Sequence, residues 1–319
     1  MIAHIEITPW CWMVFIVCVF IFIALDLGIF HRRSRVVAFR DALAYSLLWL
    51  SLAMLFAGMM VYWRGREEAA EFATGYLIEL SLSLDNILVI ALIFGAFRVP
   101  AEWQHRVLFW GIIGAIAMRG AMIAVGAELV RNFDWILYLF GAFLVFTGVK
   151  ILFQKKGEFN RDKNGVLSLA RKLFPVTPGF DGQKFFSRLN GKFALTPLAL
   201  VLLLVETSDL LFAVDSVPAV FSVTRNAFIV FTSNVFAILG LRSLYFLLAG
   251  AIGRFRYLKA GLSVVLVFIG AKMLVDPHDH EPRWYQCEIS TAVSLLVILL
   301  VLSLSITWSL LTRTKQNPV

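Results

Sequence analysis

Two stretches of the sequence place acidic side chains inside runs of apolar residues. ELSLSLDN (79–86) follows GYLI, and ETSDLLFAVDSVP (206–218) lies between VLLLV and AVF. The candidate ligands in these stretches are Glu79, Asp85, Asn86, Glu206, Asp209 and Asp215. A charged side chain at the centre of a bilayer costs roughly 2.5–3.5 kcal/mol on insertion scales, so such a set needs a function or a compensating charge.

Clustered carboxylate oxygens are the ligands that hard divalent cations such as Mn²⁺, Mg²⁺ and Ca²⁺ prefer. Hydroxyl groups of the same stretches could add ligands, and they belong to Ser81, Ser83, Thr207, Ser208 and Ser216. No histidine or cysteine accompanies the acids here, which argues against zinc and copper. Because neighbouring carboxylates disfavour one another's ionisation, a proton could occupy the empty site, and cation–proton exchange follows as a mechanism.

Salt bridging is the alternative explanation of the acids. Arg119 and Arg242 lie deep in apolar sequence, whereas Lys150 and Lys272 lie near the ends of their segments. Lysines at such ends can extend to the interface, so they are weaker partners. Two deep arginines against five central acids leave a surplus of negative charge, and this surplus favours a cation site. Asp26 lies nearer a membrane interface, so the position of its charge needs less explanation.

Helical geometry separates two of the acids. At about 100° per residue, Asp209 and Asp215 differ by roughly 240° around a helix and lie about 9 Å apart along its axis. A straight helix would therefore not aim both at one point. Pro218 frees the carbonyl of Val214, which predicts a kink or an unwound stretch in this half of the site. Asn234 is predicted to join helices through hydrogen bonds.

The elements that carry these residues are predicted to be transmembrane helices. Of 319 residues, 60% are hydrophobic and 16% charged, with a mean hydropathy of +0.82. The apolar blocks are continuous and near the roughly 20 residues that a membrane helix needs, unlike the alternation of a barrel. The sequence predicts an all-α polytopic membrane protein with about nine spans. These are 9–30, 42–63, 72–97, 107–130, 135–153, 196–223, 226–249, 257–275 and 289–311.

The basic residues between spans predict the orientation. With the N-terminus outside, the cytoplasmic loops and tail hold twenty Lys and Arg residues and the outer loops hold five. Because cytoplasmic loops are enriched in these residues, the N-terminus is predicted to be periplasmic and the C-terminus cytoplasmic. The net charge of +8 is therefore a topology signal, and no nucleic-acid partner is expected. MIAHIEITPW lacks the basic region of a signal peptide, so the first span is expected to remain as an anchor.

Segments 72–153 and 196–275 are predicted to be two copies of one three-span unit. LVFTGVKIL (144–152) and LVFIGAKML (266–274) share six of nine residues. The acids that align upstream of these motifs are Glu79 with Asp209 and Asp85 with Asp215. Because each unit has three spans and a cytoplasmic loop joins them, the copies would be inverted in the membrane. Inverted repeats with sites near the midplane are typical of secondary transporters.

The predicted organisation has five parts. Spans 1–5 occupy 1–153, a cytoplasmic loop 154–195, the second repeat 196–275, a periplasmic loop 276–288, and the last span with a cytoplasmic tail 289–319. The first loop carries nine Lys and Arg residues and is expected to be a surface loop, with regulation or partner binding as the alternative. The second contains DPHDHEPRW, whose histidines and acids are expected to be solvated rather than metal-binding. The three cysteines form no CxxC pair.

Four stretches resemble the TerC family of bacterial integral membrane proteins: GYLIELSLSLDNILVIALIF, FDWILYLFGAFLVFTGVKIL, VETSDLLFAVDSVPAVFSVT and TSNVFAILGLRSLYFLLAG. The resemblance runs from about Asp26 to the eighth span, and the periplasmic loop and the tail depart from it. It implies export of manganese from the cytoplasm across the inner membrane. It also implies that residues of the two motifs bind the cation, namely Glu79, Asp85, Asn86, Glu206, Asp209, Asp215 and Ser216, with Asp26 in the first span.

The predicted function is therefore a divalent-cation exporter of the bacterial inner membrane, with Mn²⁺ as its cargo and protons as a coupling ion. No organic cofactor is expected, and the sequence indicates no oligomeric state. A Ca²⁺/H⁺-type exchanger is one alternative, since oxygen ligands alone do not choose between these metals. A non-transporting membrane partner in metal or redox homeostasis is another. An enzyme is not expected, because no nucleophile–base pairing or cofactor motif is present.

Overall fold

The computed structural model describes residues 9–30, 39–133, 135–153, 165–189, 191–249, 257–276 and 289–312. Within these ranges the chain forms ten helices and one short hairpin. The side chain of Asp26 lies outside the described part, as does the predicted periplasmic loop with its histidines beyond Asp276.

The elements follow the order of the predicted spans, with a small insertion between the fifth and the sixth. They are α1 (Pro9–Phe30), α2 (Phe39–Trp63), α3 (Arg66–Phe97), α4 (Ala101–Asn132), α5 (Trp135–Phe153), α6 (Gly165–Leu173), β1 (Phe186–Leu189), β2 (Lys192–Leu195), α7 (Pro197–Phe221), α8 (Ala227–Ala249), α9 (Leu258–Val275) and α10 (Thr291–Leu311).

Seven described helices, α2, α3, α4, α5, α7, α8 and α10, are long and apolar enough to cross a membrane. The other two apolar helices are shorter over their described stretches, Pro9–Ala24 in α1 and Ala260–Val275 in α9. At 1.5 Å per residue, the 32 residues of α3 and of α4 span about 48 Å, well beyond a hydrocarbon core of about 30 Å. The chain is a predominantly helical, polytopic membrane protein.

Local sequence sets the ends of the helices that carry the acids. Arg98 ends α3 in the left-handed conformation, with φ 50°, and its N–H bonds to the carbonyl of Gly95 at 3.1 Å. Pro100 then precedes α4 directly. Thr196 caps α7, because its hydroxyl accepts a hydrogen bond from the N–H of Ala199 at 3.3 Å and Pro197 occupies the first helical position.

Helix α8 lies at the centre of the bundle. It packs against α2, α3 and α4. Of its most apolar 18-residue stretch, 83% is buried, against 17% of the corresponding stretches of α2 and α10. Helix α7 packs against α3 and α4. The acids of α3 and α7 are therefore carried by interior helices, whereas α2 and α10 form the periphery.

Helices α5 and α9 approach each other closely through small residues. A Cβ atom added at Gly270 would lie 2.7 Å from the carbonyl oxygen of Gly141. One added at Gly148 would lie 3.0 Å from the carbonyl oxygen of Ser263, whose hydroxyl donates to the carbonyl of Gly148. Small residues with a serine hydroxyl bonded to the neighbouring backbone are typical of membrane-helix interfaces, so larger side chains here would separate the two helices.

The predicted break at Pro218 is wrong. Helix α7 continues from Pro197 to Phe221, and Pro218 stands in its last turn. A proline at this position removes only the hydrogen bond to the carbonyl of Val214, a residue that is 41% exposed. Asp209 and Asp215 consequently stay on one regular helix and face different neighbours.

The predicted surface loop is partly a folded cap, so the all-α prediction missed a hairpin. Strands β1 and β2 pair in antiparallel register, with Phe186 opposite Leu195. Leu167 of α6 and Phe185 before β1 are buried, and the guanidinium of Arg106 lies 5.3 Å from the centre of the Phe185 ring. Residues 154–164 lie outside the described part.

Candidate cation site

The guanidinium of Arg119, on α4, holds one carboxylate from α3 and one from α7. Its Nη1 donates to Glu79 Oε2 at 2.5 Å, while Nε and Nη2 donate to the two carboxylate oxygens of Asp209 at 3.1 and 3.0 Å. Nη1 also lies 3.3 Å from the hydroxyl of Ser216 and 3.5 Å from the amide oxygen of Asn234. All five residues are buried, with at most 4% of any of them exposed.

Two asparagines complete the pairing of these carboxylates. Asn86 Nδ2 donates to Asp209 Oδ1 at 2.8 Å, and Asn234 Nδ2 donates to Glu79 Oε1 at 2.5 Å. Every oxygen of the two carboxylates therefore accepts at least one hydrogen bond. The contact with Asp209 uses both of its oxygens, a geometry that only arginine among the basic side chains can supply. The salt-bridge alternative thus describes Glu79 and Asp209 as they stand in this structure.

The spacing of the polar residues explains why they meet. Glu79 and Asn86 are seven residues apart on α3, and Asp209 and Ser216 are seven apart on α7. Seven residues are close to two helical turns, so each pair lies on one face of its helix. Each helix thus presents a carboxylate and a polar neutral group to Arg119.

Glu206 precedes Asp209 by three residues and shares its face of α7. Its carboxylate packs against the backbone of α4 at Gly114, where an added Cβ atom would fall 2.1 Å from Oε1. Glu206 Oε2 is buried and accepts no hydrogen bond from the described residues. The carboxylate of Asp209 is close enough to repel it electrostatically.

Two more buried oxygen atoms lack a hydrogen-bond partner among the described residues, Ser83 Oγ and Asn86 Oδ1. Both belong to the face of α3 that contacts Asp209, since three residues separate Ser83 from Asn86. Buried polar atoms are normally satisfied, so unpaired oxygens beside an acid indicate space for a further donor or a cation. Together with Glu206 they form an oxygen-rich margin of the Arg119 network.

Asp215 and Asp85 occupy separate surroundings. Asp215 is partly buried, forms a side-chain hydrogen bond with Thr147 of α5, and lies near Lys150. Asp85 is partly buried and lies about 100° around α3 from Asn86. The structure therefore brings Glu79, Asp209 and Ser216 onto Arg119, with Asn86 bonded to Asp209 and Glu206 beside it. Asp85 and Asp215 are not among the hydrogen-bond partners of Arg119 in the described part of the chain.

In this structure the acids do not converge on one point. Over the described ranges, no three carboxylate, imidazole or thiol side chains come close enough together to hold a metal ion. The role of the acids as metal ligands stays a prediction.

The sequence predicted the acids of the site but not how three neutral or basic residues contact them. The structure confirms the salt-bridge alternative for Arg119, and it confirms Asn234 as a hydrogen-bonded link between helices, since its Nδ2 donates to Glu79 of α3. Gly114, on which Glu206 packs, was not considered. The spacing of seven residues indicates that Glu79 and Asn86 share a face of α3, and that Asp209 and Ser216 share a face of α7. Nothing in the sequence indicates that α4 would supply the basic residue between these faces.

The fold and the site define a polytopic helical membrane protein whose interior holds a carboxylate–arginine network. The sequence profile of a family described as "Integral membrane protein TerC family" matches residues 64–317. The chain belongs to the TerC family.

Curated proteins of high similarity to this chain are also described as membrane proteins. An uncharacterized membrane protein of Myxococcus xanthus, STKORF319, is 52% identical over 312 residues, which cover 98% of this chain and 95% of that protein. An Escherichia coli (strain K12) protein with the provisional name membrane-bound redox modulator Alx is 48% identical over 284 residues, covering 86% and 88%. An uncharacterized membrane protein of Rickettsia bellii is 41% identical over 287 residues, covering 90% and 95%. No solved structure matches the chain.

Proposed function

We propose that the chain is a divalent-cation exporter of the bacterial inner membrane, with Mn²⁺ as its cargo. The observation that carries this proposal is the set of buried oxygens without a donor beside the Arg119-bound carboxylates. They are Ser83 Oγ, Asn86 Oδ1 and Glu206 Oε2. A protein that needed its acids only for salt bridges would have no use for unpaired oxygen atoms at their side.

The chemistry of these groups favours a hard cation. Carboxylate, amide and hydroxyl oxygens bind Mn²⁺, Mg²⁺ and Ca²⁺ in preference to softer metals. The manganese assignment within this group rests on the resemblance to the TerC family. The proposed ligand set also includes Asp26, Asp85 and Asp215. Asp215 bonds to Thr147 and would hold the cation at a second position, apart from the Arg119 network.

The order of the acids on α7 suggests a direction of movement. With the N-terminus outside, α7 runs from the cytoplasmic side outward, so Glu206 lies about 4.5 Å inside Asp209 and Asp215 lies about 9 Å outside it. A cytoplasmic cation would meet Glu206 and the oxygen of Asn86 first. It would then pass Asp209 and leave by way of Asp215.

We also propose that the site opens to each side of the membrane in turn. This alternating access would use an inverted repeat of α3–α5 and α7–α9 within nine spans. Two kinds of contact support it. Exchanging the repeats converts the contact between α3 and α8 into the contact between α7 and α4, and both are present. The same exchange converts the close pair Gly141 and Gly270 into the close pair Ser263 and Gly148.

Protons are the proposed coupling ion, because a carboxylate that loses its cation can take a proton instead. Cation transport needs no organic cofactor and no enzymatic step. A Ca²⁺/H⁺-type exchanger would use the same oxygens, so the choice of metal must be tested directly. The name of the Escherichia coli relative points to the other alternative, a membrane partner in redox or metal homeostasis that moves no cation itself.

The test is cation uptake into inverted membrane vesicles that contain the protein. Uptake of Mn²⁺ and of Ca²⁺ is followed at several external pH values, for wild type, Glu206→Gln and Asp209→Asn. Glu128→Gln is the matched control, because Glu128 is an exposed acid on α4 whose side chain is 61% exposed. The proposal expects Mn²⁺ uptake by wild type and by the control, and loss in both site variants.

The other outcomes separate the alternatives. Faster uptake of Ca²⁺ than of Mn²⁺ would favour the calcium exchanger. No uptake of either ion by wild type would contradict the exporter and leave the non-transporting partner. Uptake by both site variants at the wild-type rate would place the pathway elsewhere.

A further inference from the structure

Arg119 occupies the oxygens that a transported cation would need. Its three nitrogen atoms hold both oxygens of Asp209 and one oxygen of Glu79. A divalent cation bound to the same oxygens would lie within a few ångströms of the guanidinium, and two positive charges so close repel each other strongly in a medium of low dielectric constant. The cation and the guanidinium therefore compete for these carboxylates.

The carboxylates cannot be left without either partner. Glu79 and Asp209 are buried, with 0% and 4% exposed. Removing the positive charge from a buried ion pair leaves an uncompensated charge in a medium of low dielectric constant, which is strongly unfavourable. The two acids are therefore stable only when Arg119, another cation or protons neutralise them.

The margin of the network shows where a competing cation would start. Glu206 Oε2 and Asn86 Oδ1 are buried without a hydrogen-bond donor among the described residues, and Asn86 itself contacts Asp209. A cation held there lies next to the oxygens that Arg119 holds. It could take them over one at a time while the guanidinium withdraws along α4.

We propose that Arg119 is a tethered substitute for the transported cation. It fills the site after the cation leaves, so the empty protein returns through its cycle with neutralised carboxylates, and an arriving divalent cation displaces it. This inference rests on the proposed export function. It makes Arg119 a positioning residue of the site that sets cation affinity and permits net transport.

The experiment compares wild type with Arg119→Gln and Arg119→Lys, using purified full-length protein. Mn²⁺ affinity is measured by isothermal titration calorimetry, and reconstituted vesicles report net efflux and exchange of Mn²⁺ for Mn²⁺ separately. Without its competitor, Arg119→Gln should bind Mn²⁺ at least about tenfold more tightly, since it frees buried carboxylates that need a cation. It should keep Mn²⁺–Mn²⁺ exchange and lose most of its net efflux, because protons alone would have to neutralise the two buried carboxylates of its empty site.

Arg119→Lys is the second variant, because it keeps a positive charge but loses the planar fork that holds both oxygens of Asp209. It should fall between wild type and Arg119→Gln in affinity and retain part of the net efflux. Should Arg119→Gln fail to fold even with Mn²⁺ present, the higher affinity of Arg119→Lys over wild type still decides the question.

The inference would be overturned if the variants that fold bind Mn²⁺ no more tightly than wild type. It would also be overturned if they lose exchange and net efflux equally, since Arg119 would then be a structural ion-pair partner. Such a result with active wild type would leave the proposed function intact. A wild-type protein that neither binds nor moves a cation would overturn both.

Discussion

Asp209 and Glu206 lie one turn apart on the same face of α7, yet their carboxylates have opposite surroundings. Asp209 accepts hydrogen bonds from Arg119 at both oxygens and from Asn86 at one. Glu206 packs on the backbone at Gly114, and its Oε2 has no donor among the described residues. Both are acids of similar chemistry on one face of one helix, so their partners make the difference.

The pairing of a buried acid's oxygens separates a structural charge from a functional one in a membrane interior. A buried acid with every oxygen paired contributes to the packing of three helices, and its removal leaves the other charges exposed to a low dielectric constant. A buried acid with an unpaired oxygen carries a desolvation cost that a bound cation or proton would relieve. Asp209 should therefore dominate stability, and Glu206 should dominate cation binding.

The largest expected effect is on the stability of Asp209→Asn. Losing this charge breaks the two-oxygen contact with Arg119, so the free energy of unfolding should fall by about 3 kcal/mol or more. Glu206→Gln should change it by less than about 1 kcal/mol, since Oε2 loses no partner. Unfolding in detergent, followed by circular dichroism, measures both, and equal losses would remove the proposed distinction.

The next effect concerns transport by Glu206→Gln. The substitution keeps the size of the side chain and removes its charge, so the rate of Mn²⁺ uptake at low concentration should fall at least about tenfold, or 1.4 kcal/mol. The free energy of unfolding of Glu206→Gln is the control, because it shows whether the variant is still folded. A variant that transports as wild type does would show that the unpaired oxygen has no part in the pathway.

Asp215 offers an intermediate case, because it has one side-chain partner in Thr147. Thr147→Val should cost about 1 kcal/mol of unfolding free energy through this lost hydrogen bond. Thr207→Val is the matched control on α7, since among the described residues the hydroxyl of Thr207 bonds to the carbonyl of Leu203 in its own helix and to no other group. Equal effects of the two variants would mean that the contact with Asp215 adds nothing to stability.

The smallest expected effect is that of Gly114→Ala. Its Cβ atom would fall 2.1 Å from Glu206 Oε1, so the flexible end of Glu206 must move. Apparent Mn²⁺ affinity should fall about threefold, while stability stays level or rises, because alanine favours a helix over glycine by up to about 1 kcal/mol. Gly111→Ala is the control, where the nearest side-chain atom is 3.4 Å from the added Cβ. Dose–response curves of vesicle uptake would show the shift, and a shift of equal size in the control would contradict the account.

The sequence predicted the fold well where apolar length decided it. Seven of the nine predicted spans contain described helices that are long and apolar enough to cross a membrane, and the acids of α3 and α7 lie on interior helices. Pro218 misled the prediction, because sequence alone could not show that a proline in the final turn leaves the helix whole. The hairpin could have been found, since Asn190 and Gly191 stand between SRL and KFAL as a strong turn signal.

The site was predicted in part. Spacing along α3 and α7 is local, so the faces shared by Glu79 with Asn86 and by Asp209 with Ser216 follow from helical geometry. The position of Arg119 between these faces depends on how α4 is rotated and placed by packing with α7 and α8. No residue spacing within one helix carries that information.

The most direct test of the central claim is the binding of Mn²⁺ to the purified full-length protein. Free Mn²⁺ gives an electron paramagnetic resonance signal that disappears on binding, so a titration reports affinity without transport. The account predicts saturable binding by wild type and by Glu128→Gln, and at least about tenfold weaker binding by Glu206→Gln. Equal affinity of Glu206→Gln and wild type, or no binding by wild type, would contradict it.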